Sequence, residues 1–381
     1  MAKQQTGDSL TKPVMVEDNS SLNTLCEKWR TKKVLAMDTE FIRVNTFYPK
    51  LGLLQVCDGE GSYLLDPLSI SQWDGFKQIL SDPEIVKVFH SCSEDLIVFN
   101  NFFSTLPTPL FDTQRAAAFL DYGYSISYQN LVEAELEISL SKGETRSDWL
   151  QRPLSAEQLA YAALDVAYLP QIYRFLFNAL ESKGRLAWVQ SDCQEMLENA
   201  SQDDESDWSE SFKGVSGAWR LEQRSLEALK RLSQWREIEA RRRDKPRNWI
   251  AKDADLIAIC AEMPQTSEQL NAIPDLSRQL YRQDSEALLA LIQQPHEGPA
   301  ISPQDVEQPL SPAMRKALKR CQEIVKNKAT QLEIAPELLA RKRQLIPMVD
   351  QFARGMAIDW PESLGAWRRE LLESDIRAAL K

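Results

Sequence analysis

The sequence predicts an α/β domain, a mixed sheet with flanking helices, followed by two all-α helical blocks. Three observations carry this. Between residues 34 and 113, short apolar runs first lie close together and then alternate with helical patterns. From residue 211 onward almost all apolar spacing is helical. Two stretches poor in apolar residues, 198–210 and 293–312, separate the parts. At 381 residues the chain is long enough for two or three domains, each with its own core.

The first strand is VLAMDTEF (34–41), an apolar run that delivers Asp38 and Glu40 at its end. Spaced i, i+2, the two carboxylates face the same side of a strand. LGLLQVCDG (51–59) and GSYLLDP (61–67) follow, joined by a turn at Asp58–Gly61. These are expected to be three neighbouring strands, at least two of them an antiparallel hairpin. EIVKVFHS (84–91) and TPLFDT (108–113) are a fourth and a short fifth strand, each with a helix behind it. That change from hairpins to strand–helix alternation is what predicts a mixed sheet.

Ser91 stands three residues before Glu94, the spacing of a capping box. Glu94 is then expected to cap its own helix, leaving Asp95 free in the first turn, where the helix dipole favours a carboxylate. Ser155 and Gln158 form a second such box, with Leu154 and Leu159 as a hydrophobic staple, so a helix should begin near residue 156. It carries Tyr161 and Asp165 on one face and should kink at Pro170.

The blocks expected are a flexible arm over 1–15, the α/β domain over 16–200, a helical domain over 211–292, a linker over 293–312 and a second helical domain over 313–381. The two helical blocks look like a tandem repeat. Ala228-Leu229-Lys230-Arg231 recurs as Ala317-Leu318-Lys319-Arg320, and at the same offset Trp249-Ile250-Ala251-Lys252 falls on Leu338-Leu339-Ala340-Arg341.

Composition narrows the chemistry. The apolar share of 43% and charged share of 27% are ordinary for a globular protein. No apolar run reaches the roughly 18–20 residues of a membrane span, and the polar N-terminus lacks the centre of a signal peptide. The six cysteines are scattered with no CxxC pair, which argues against zinc and disulfides and fits a reducing cytoplasm. With only His90 and His296 as histidines, a metal site would have to be built from carboxylates, which favours Mg²⁺ or Mn²⁺. The net charge of −11 does not exclude a nucleic-acid partner when a local basic stripe exists.

Asp38, Glu40, Asp95 and Asp165 come from a strand end, a helix start and another helix. Carboxylates gathered from separate elements are stable mainly when they share cations, and two divalent ions roughly 4 Å apart suit an in-line phosphoryl displacement. Tyr161 can hydrogen-bond the attacking water, but a phenol of unperturbed pKa about 10 is a poor base. An ion-acidified water is the expected nucleophile.

DxE at 38–40, HxxxxD at 90–95 and YxxxD at 161–165 resemble the three motifs of the DEDD exonuclease superfamily, in the subclass with tyrosine in the third motif. KGETRSDWLQRPLSAEQLAYAALDVAYL (142–169) is similar to the ribonuclease D family, and the helical blocks resemble the helicase-and-RNase-D C-terminal (HRDC) domain. The resemblance covers nearly the whole chain from Val16. It implies a ribonuclease-H-like fold, with Asp38, Glu40, Asp95 and Asp165 as metal ligands and Tyr161 positioning the water. It implies a 3′→5′ exoribonuclease that uses two Mg²⁺ or Mn²⁺ ions; the chain is expected to be a cytoplasmic monomer. Its substrates would be RNAs with a free 3′ end, such as tRNA precursors, and its products nucleoside 5′-monophosphates. The alternatives are a proofreading-type exonuclease on DNA, disfavoured because no polymerase domain follows, and a non-catalytic RNA-binding module, which would not need all four carboxylates.

Other residues invite two readings each. His90 is expected to be structural, bonded to a neighbouring backbone group, with substrate contact as the alternative. Trp149 is expected to plug the core, with base stacking as the alternative. Lys142, Arg146 and Arg152 are loop cations, either solvated or meeting phosphates. In RRRDKPRNWIAK (241–252), Arg241, Arg242, Arg243, Lys245 and Arg247 form the clearest candidate phosphate-contact surface, with a solvated helix end as the plain alternative. Arg341, Lys342 and Arg343 are weaker candidates, and His296 is expected to be idle.

Overall fold

The structure, a computed structural model, describes residues 12–140, 147–201, 208–295 and 298–381. The chain divides into two compact units. The first comprises residues up to Ile42, Lys50–Ser201 and Ser311–Lys381; the second comprises Arg43–Pro49 and Gln202–Leu310.

The first unit holds a six-stranded sheet: β1 (Val14–Val16), β2 (Val34–Ile42), β3 (Lys50–Cys57), β4 (Ser62–Leu65), β5 (Val86–Phe89) and β6 (Leu110–Asp112). Their order is β1-β4-β3-β2-β5-β6. β2, β3 and β4 pair antiparallel, while β5, β6 and β1 join in parallel, so the sheet is mixed as expected. All of Leu51–Cys57 is buried, as a central strand covered on both sides must be. Helix Ala156–Ala167 lies against β2, β3 and β4, and helix Ser93–Phe103 against β2 and β3.

β1 corrects the expected flexible arm. Val14 and Met15, placed in the arm, extend the sheet edge with Val16 by pairing with Tyr63, Leu64 and Leu65. Three residues are too short a run for an alternation signal. Residues 1–11 lie outside the described residues.

A second correction concerns the Ser91–Glu94 capping box. The helix starts at Ser93 with Cys92 as its cap and no side-chain cap bond. Ser91 has a positive φ of 64°, and the Cys92 N–H donates instead to Asp112 Oδ2 at 2.8 Å. Asp112 comes from β6 and also caps the helix Thr113–Ala118. Asp95 still falls in the first turn. The box at Ser155 and Gln158 forms as expected. Pro170 does more than kink its helix: the helix ends at Ala167, and a new one, Leu169–Ser182, begins with Pro170 in its first turn.

The helical blocks share one element order. In the second unit, Gln223–Arg242, Arg247–Ile250, Asp253–Glu262, Ser267–Asn271 and Arg278–Gln293 succeed one another. The offset that sets Ala228 on Ala317 also sets Arg247–Ile250 on Pro336–Leu339, and the long helices correspond at Pro312–Leu332 and Ala366–Ala379. The stretch read as a linker is partly built into the second unit, since Ile301 and Val306 are buried in its core. The later block belongs to the first unit, where Trp367 stacks on Trp188 with ring centroids 4.9 Å apart.

Segment Arg43–Pro49, between β2 and β3, belongs to the second unit. Phe47 and Tyr48 donate their backbone N–H groups to Asp244 Oδ1 at 2.9 and 3.0 Å. The Phe47 ring packs with Ala240 and Ile250.

Candidate active site

β2 brings Asp38 and Glu40 to one face, and the 156–167 helix crossing that strand brings Asp165 to meet them. Ligand atoms of Asp38, Glu40 and Asp165 all lie within 4.8 Å of one another. Asp95 is not in this group. It is buried, and the Thr39 hydroxyl donates to its Oδ1. Asp95 is nonetheless near the group, since its charge is the largest charge effect on Asp38.

The electrostatics are those of crowded, half-buried like charges. Burial, and then the charges of Asp95, Asp165 and Glu40, push Asp38 well above the usual carboxylate range. Glu40 is pushed up to about 8 by burial and then by Asp165 and Asp95. Burial raises Asp165 to about 7, against the opposing effect of the Tyr161 hydroxyl hydrogen-bonded to it. Burial raises Asp95 to about 6, opposed by the Thr39 hydrogen bond. Tyr161 is itself raised, by burial first and then by the neighbouring carboxylates, so its hydroxyl keeps its proton.

These residues fit a hard divalent cation. Three carboxylates converge with no cationic side chain among the causes of their shifts, and Asp165 Oδ2 is buried without a hydrogen-bond partner among the described residues. Oxygen-only donors of this kind suit Mg²⁺ or Mn²⁺.

His90, Trp149 and Arg152 have structural partners. His90 bonds Thr113 Oγ1 at 2.9 Å and the Ile126 carbonyl at 3.0 Å, the backbone-bonded role expected of it. Trp149 is 3% exposed and packs with Leu53, Leu64, Ala162 and Tyr161, so the core reading holds. Gly52 lies so close that a Cβ there would sit 2.6 Å from the Trp149 carbonyl oxygen. Arg152 is neither solvated nor free for phosphate: it pairs with buried Asp66 at 2.7 Å and donates to the Gly52 carbonyl. Together these bonds position the loop that leads into the Tyr161 helix. Lys142, Arg146 and His296 lie outside the described residues.

The basic run is densely paired within the second unit. Arg241 and Arg247 meet Glu237 at 2.7 and 2.6 Å, and Arg242 meets Glu239 at 2.6 Å. Arg243 pairs with Glu239 at 2.5 Å and also with Asp284. The guanidinium of Arg241 lies 4.4 Å from the centre of the Phe47 ring, and Lys245 donates to the Asn45 carbonyl at 3.4 Å. Much of this charge therefore holds the 43–49 segment. Arg242 and Arg247 keep side chains 63% and 42% exposed. Arg341 lies against the Tyr124 ring and donates to its hydroxyl.

Thr39 escaped the sequence reading. It lies inside DxE, but its partner is 56 residues away and no spacing rule links them.

The 3′-5′ exonuclease family matches residues 13–181, and the HRDC domain family matches residues 225–292. Ribonuclease D of Pseudomonas paraeruginosa is 41% identical over 367 residues, covering 96% of this chain and 97% of the relative. Ribonuclease D of Escherichia coli is 35% identical over 375 residues, covering 96% of this chain and 98% of the relative. The crystal structure of Escherichia coli RNase D, described as an exoribonuclease involved in structured RNA processing, matches with a TM-score of 0.85 at 35% identity. That match covers 96% of this chain and 98% of that one. The catalytic core of RRP6 from Trypanosoma brucei shares the fold, with a TM-score of 0.54 at 20% identity over 74% of this chain and 79% of that one.

Proposed function

The chain belongs to the ribonuclease D family, and from that premise we propose how its residues act and on what. It is a 3′-5′ exoribonuclease dependent on divalent metal. The finer reading is removal of nucleotides one at a time from free 3′ ends of RNA, tRNA precursors foremost, with release of nucleoside 5′-monophosphates in the cytoplasm. The observation that carries it is the convergence of Asp38, Glu40 and Asp165 within 4.8 Å, with Tyr161 bound to Asp165.

Asp38, Glu40 and Asp165 would hold the cations, two of them on the family pattern, with Asp95 completing the set. Cations held there supply Lewis acidity toward the phosphodiester and its attacking water. The Tyr161 hydroxyl, still protonated, donates to Asp165 and accepts a hydrogen bond from the water, which fixes the line of attack. The proposed RNA-contact residues are Arg241, Arg242, Arg243, Lys245 and Arg247, of which Arg242 and Arg247 have the exposure to meet phosphates.

Digestion of RNA labelled at either end tests the function. A 3′ label should leave at once as a mononucleotide, a 5′ label should report stepwise shortening, and Mg²⁺ and Mn²⁺ are compared in parallel. Internal cuts, or activity without any divalent ion, would overturn the reading.

Tyr161→Phe is expected to lower kcat by about 10- to 100-fold with KM for RNA little changed, since one hydrogen bond of about 1.5–3 kcal/mol is lost at the reacting centre. An unchanged kcat in single-turnover kinetics would remove the role assigned to that hydroxyl.

The raised carboxylate pKa values set a pH dependence. Each folded value lies above its unfolded one, so the stabilising protons are fully present below about pH 4 and are lost as pH rises through about 6 to 8. Without divalent ions the melting temperature should therefore fall across that window. A bound cation replaces the protons, so Mg²⁺ or Mn²⁺ should raise the melting temperature more at pH 8 than at pH 6. A metal-induced rise equal at both values would count against the cluster as the binding site.

A further inference from the structure

β3, KLGLLQVC, carries a glutamine within its buried apolar run. Gln55 is fully buried, and neither its Oε1 nor its Nε2 has a hydrogen-bond partner among the described residues. A buried amide left in that state is destabilising, so its retention calls for a use.

Its position supplies one. Gln55 is the cross-strand partner of Asp38 on β2 and of Leu64 on β4. Directly opposed residues share a face, with Cβ atoms about 4.5–5.5 Å apart. Two neighbours on β3 identify that face. Leu53 clusters with Trp149 and Ala162, and Cys57 Sγ lies 4.0 Å from the Ala167 carbonyl. Alternation sets Gln55 between them, beneath the 156–167 helix that carries Asp165. Asp165 Oδ2 is itself buried and without a hydrogen-bond partner among the described residues. A donor group with no acceptor thus lies in one layer with a carboxylate oxygen that lacks a donor among the described residues.

We propose that Gln55 is a positioning residue of the metal site: its amide N–H groups hold the Asp38 carboxylate through a buried water in its cation-binding orientation. This rests on the metal reading above. An amide suits the task because it donates at every pH, adds no charge to the crowded carboxylates and does not compete with the cation. Groups that brace metal ligands from behind typically govern affinity about 10- to 100-fold.

The test is calorimetric titration of Mg²⁺ and of Mn²⁺, with no RNA, into the full chain and its Gln55→Met and Gln55→Leu variants, alongside metal-free melting curves. Binding should weaken about 10- to 100-fold in both variants. Metal-free melting temperatures should stay level or rise, because apolar atoms replace an unsatisfied amide. kcat should fall with KM for RNA unchanged. Metal affinity within about threefold of the parent, in a folded variant, overturns the proposal; failure of both variants to fold assigns Gln55 to packing and overturns it too. Absence of binding by the parent chain defeats the metal reading itself, which separates the two failures.

Discussion

Asp165→Asn is expected to lower kcat for RNA hydrolysis by about 10³-fold or more. Asp165 closes the group of three carboxylates, and its Oδ2 is buried without a hydrogen-bond partner among the described residues. Lewis-acid stabilisation of the reacting phosphate is worth several kcal/mol, and each 1.36 kcal/mol is a factor of ten in rate. Asp38→Asn should cost as much. The double variant should be little worse than either alone, because the carboxylates act as one unit. Stability should move the other way. An amide in place of a buried like charge removes repulsion, so the metal-free melting temperature should rise near pH 8 while the metal-induced rise shrinks. Single-turnover kinetics and melting curves with and without Mg²⁺ check both halves. A variant within tenfold of the parent in kcat would sink the mechanism.

The second large effect concerns the attachment of the later helical block. Arg368→Met is expected to destabilise the first unit by about 3–5 kcal/mol, the cost of leaving a buried charge without its partner. Arg368 is 4% exposed and meets Asp192 at 2.6 Å and Glu195 at 2.5 Å. Its Nε also donates to the Leu338 carbonyl at 2.6 Å, so one side chain ties helix Leu186–Ser201 to two helices of the block, Pro336–Leu339 and Ala366–Ala379. After the change Asp192 keeps, among the described residues, the longer contact to Arg115 at 3.4 Å. Replacing Asp192 by Leu as well should recover part of the loss, since neither charge then remains buried alone. Urea denaturation followed by fluorescence measures both, with the stacked Trp188 and Trp367 as reporters. A loss under about 1 kcal/mol would show that the pair does not secure the block.

Much of the fold was legible because its signals are local. The apolar runs at 34, 51, 62, 86 and 110 became β2 to β6, and Ser155 with Gln158 marked the start of a helix that the structure caps in that way. Failures arose where a distant residue decided the outcome. Ser91 and Glu94 have the spacing of a capping box, yet Asp112, from another strand, takes the Cys92 N–H. Arg152 looks like any loop cation until buried Asp66 is set beside it. Arg243 gives no sign in sequence of its partner Asp284, 41 residues away on another helix. Ion pairs of this sort join residues on different elements, and their sequence spacing carries no pattern.

By itself the sequence determined the residue types of the site, the elements that carry them and the chemistry they suit. DxE on a strand must face one way, YxxxD on a helix must share a face, and a chain with two histidines must offer a divalent cation oxygen ligands. Tertiary structure alone decided which carboxylates meet. Ligand atoms of Asp38, Glu40 and Asp165 converge, with Asp95 near them and bonded by the Thr39 hydroxyl. It also decided that Gln55, in sequence only a polar residue in an apolar strand, stands across from Asp38. The reason is physical: side-chain direction follows from backbone period and can be read from a few residues, whereas contact between elements depends on register and packing across the whole sheet.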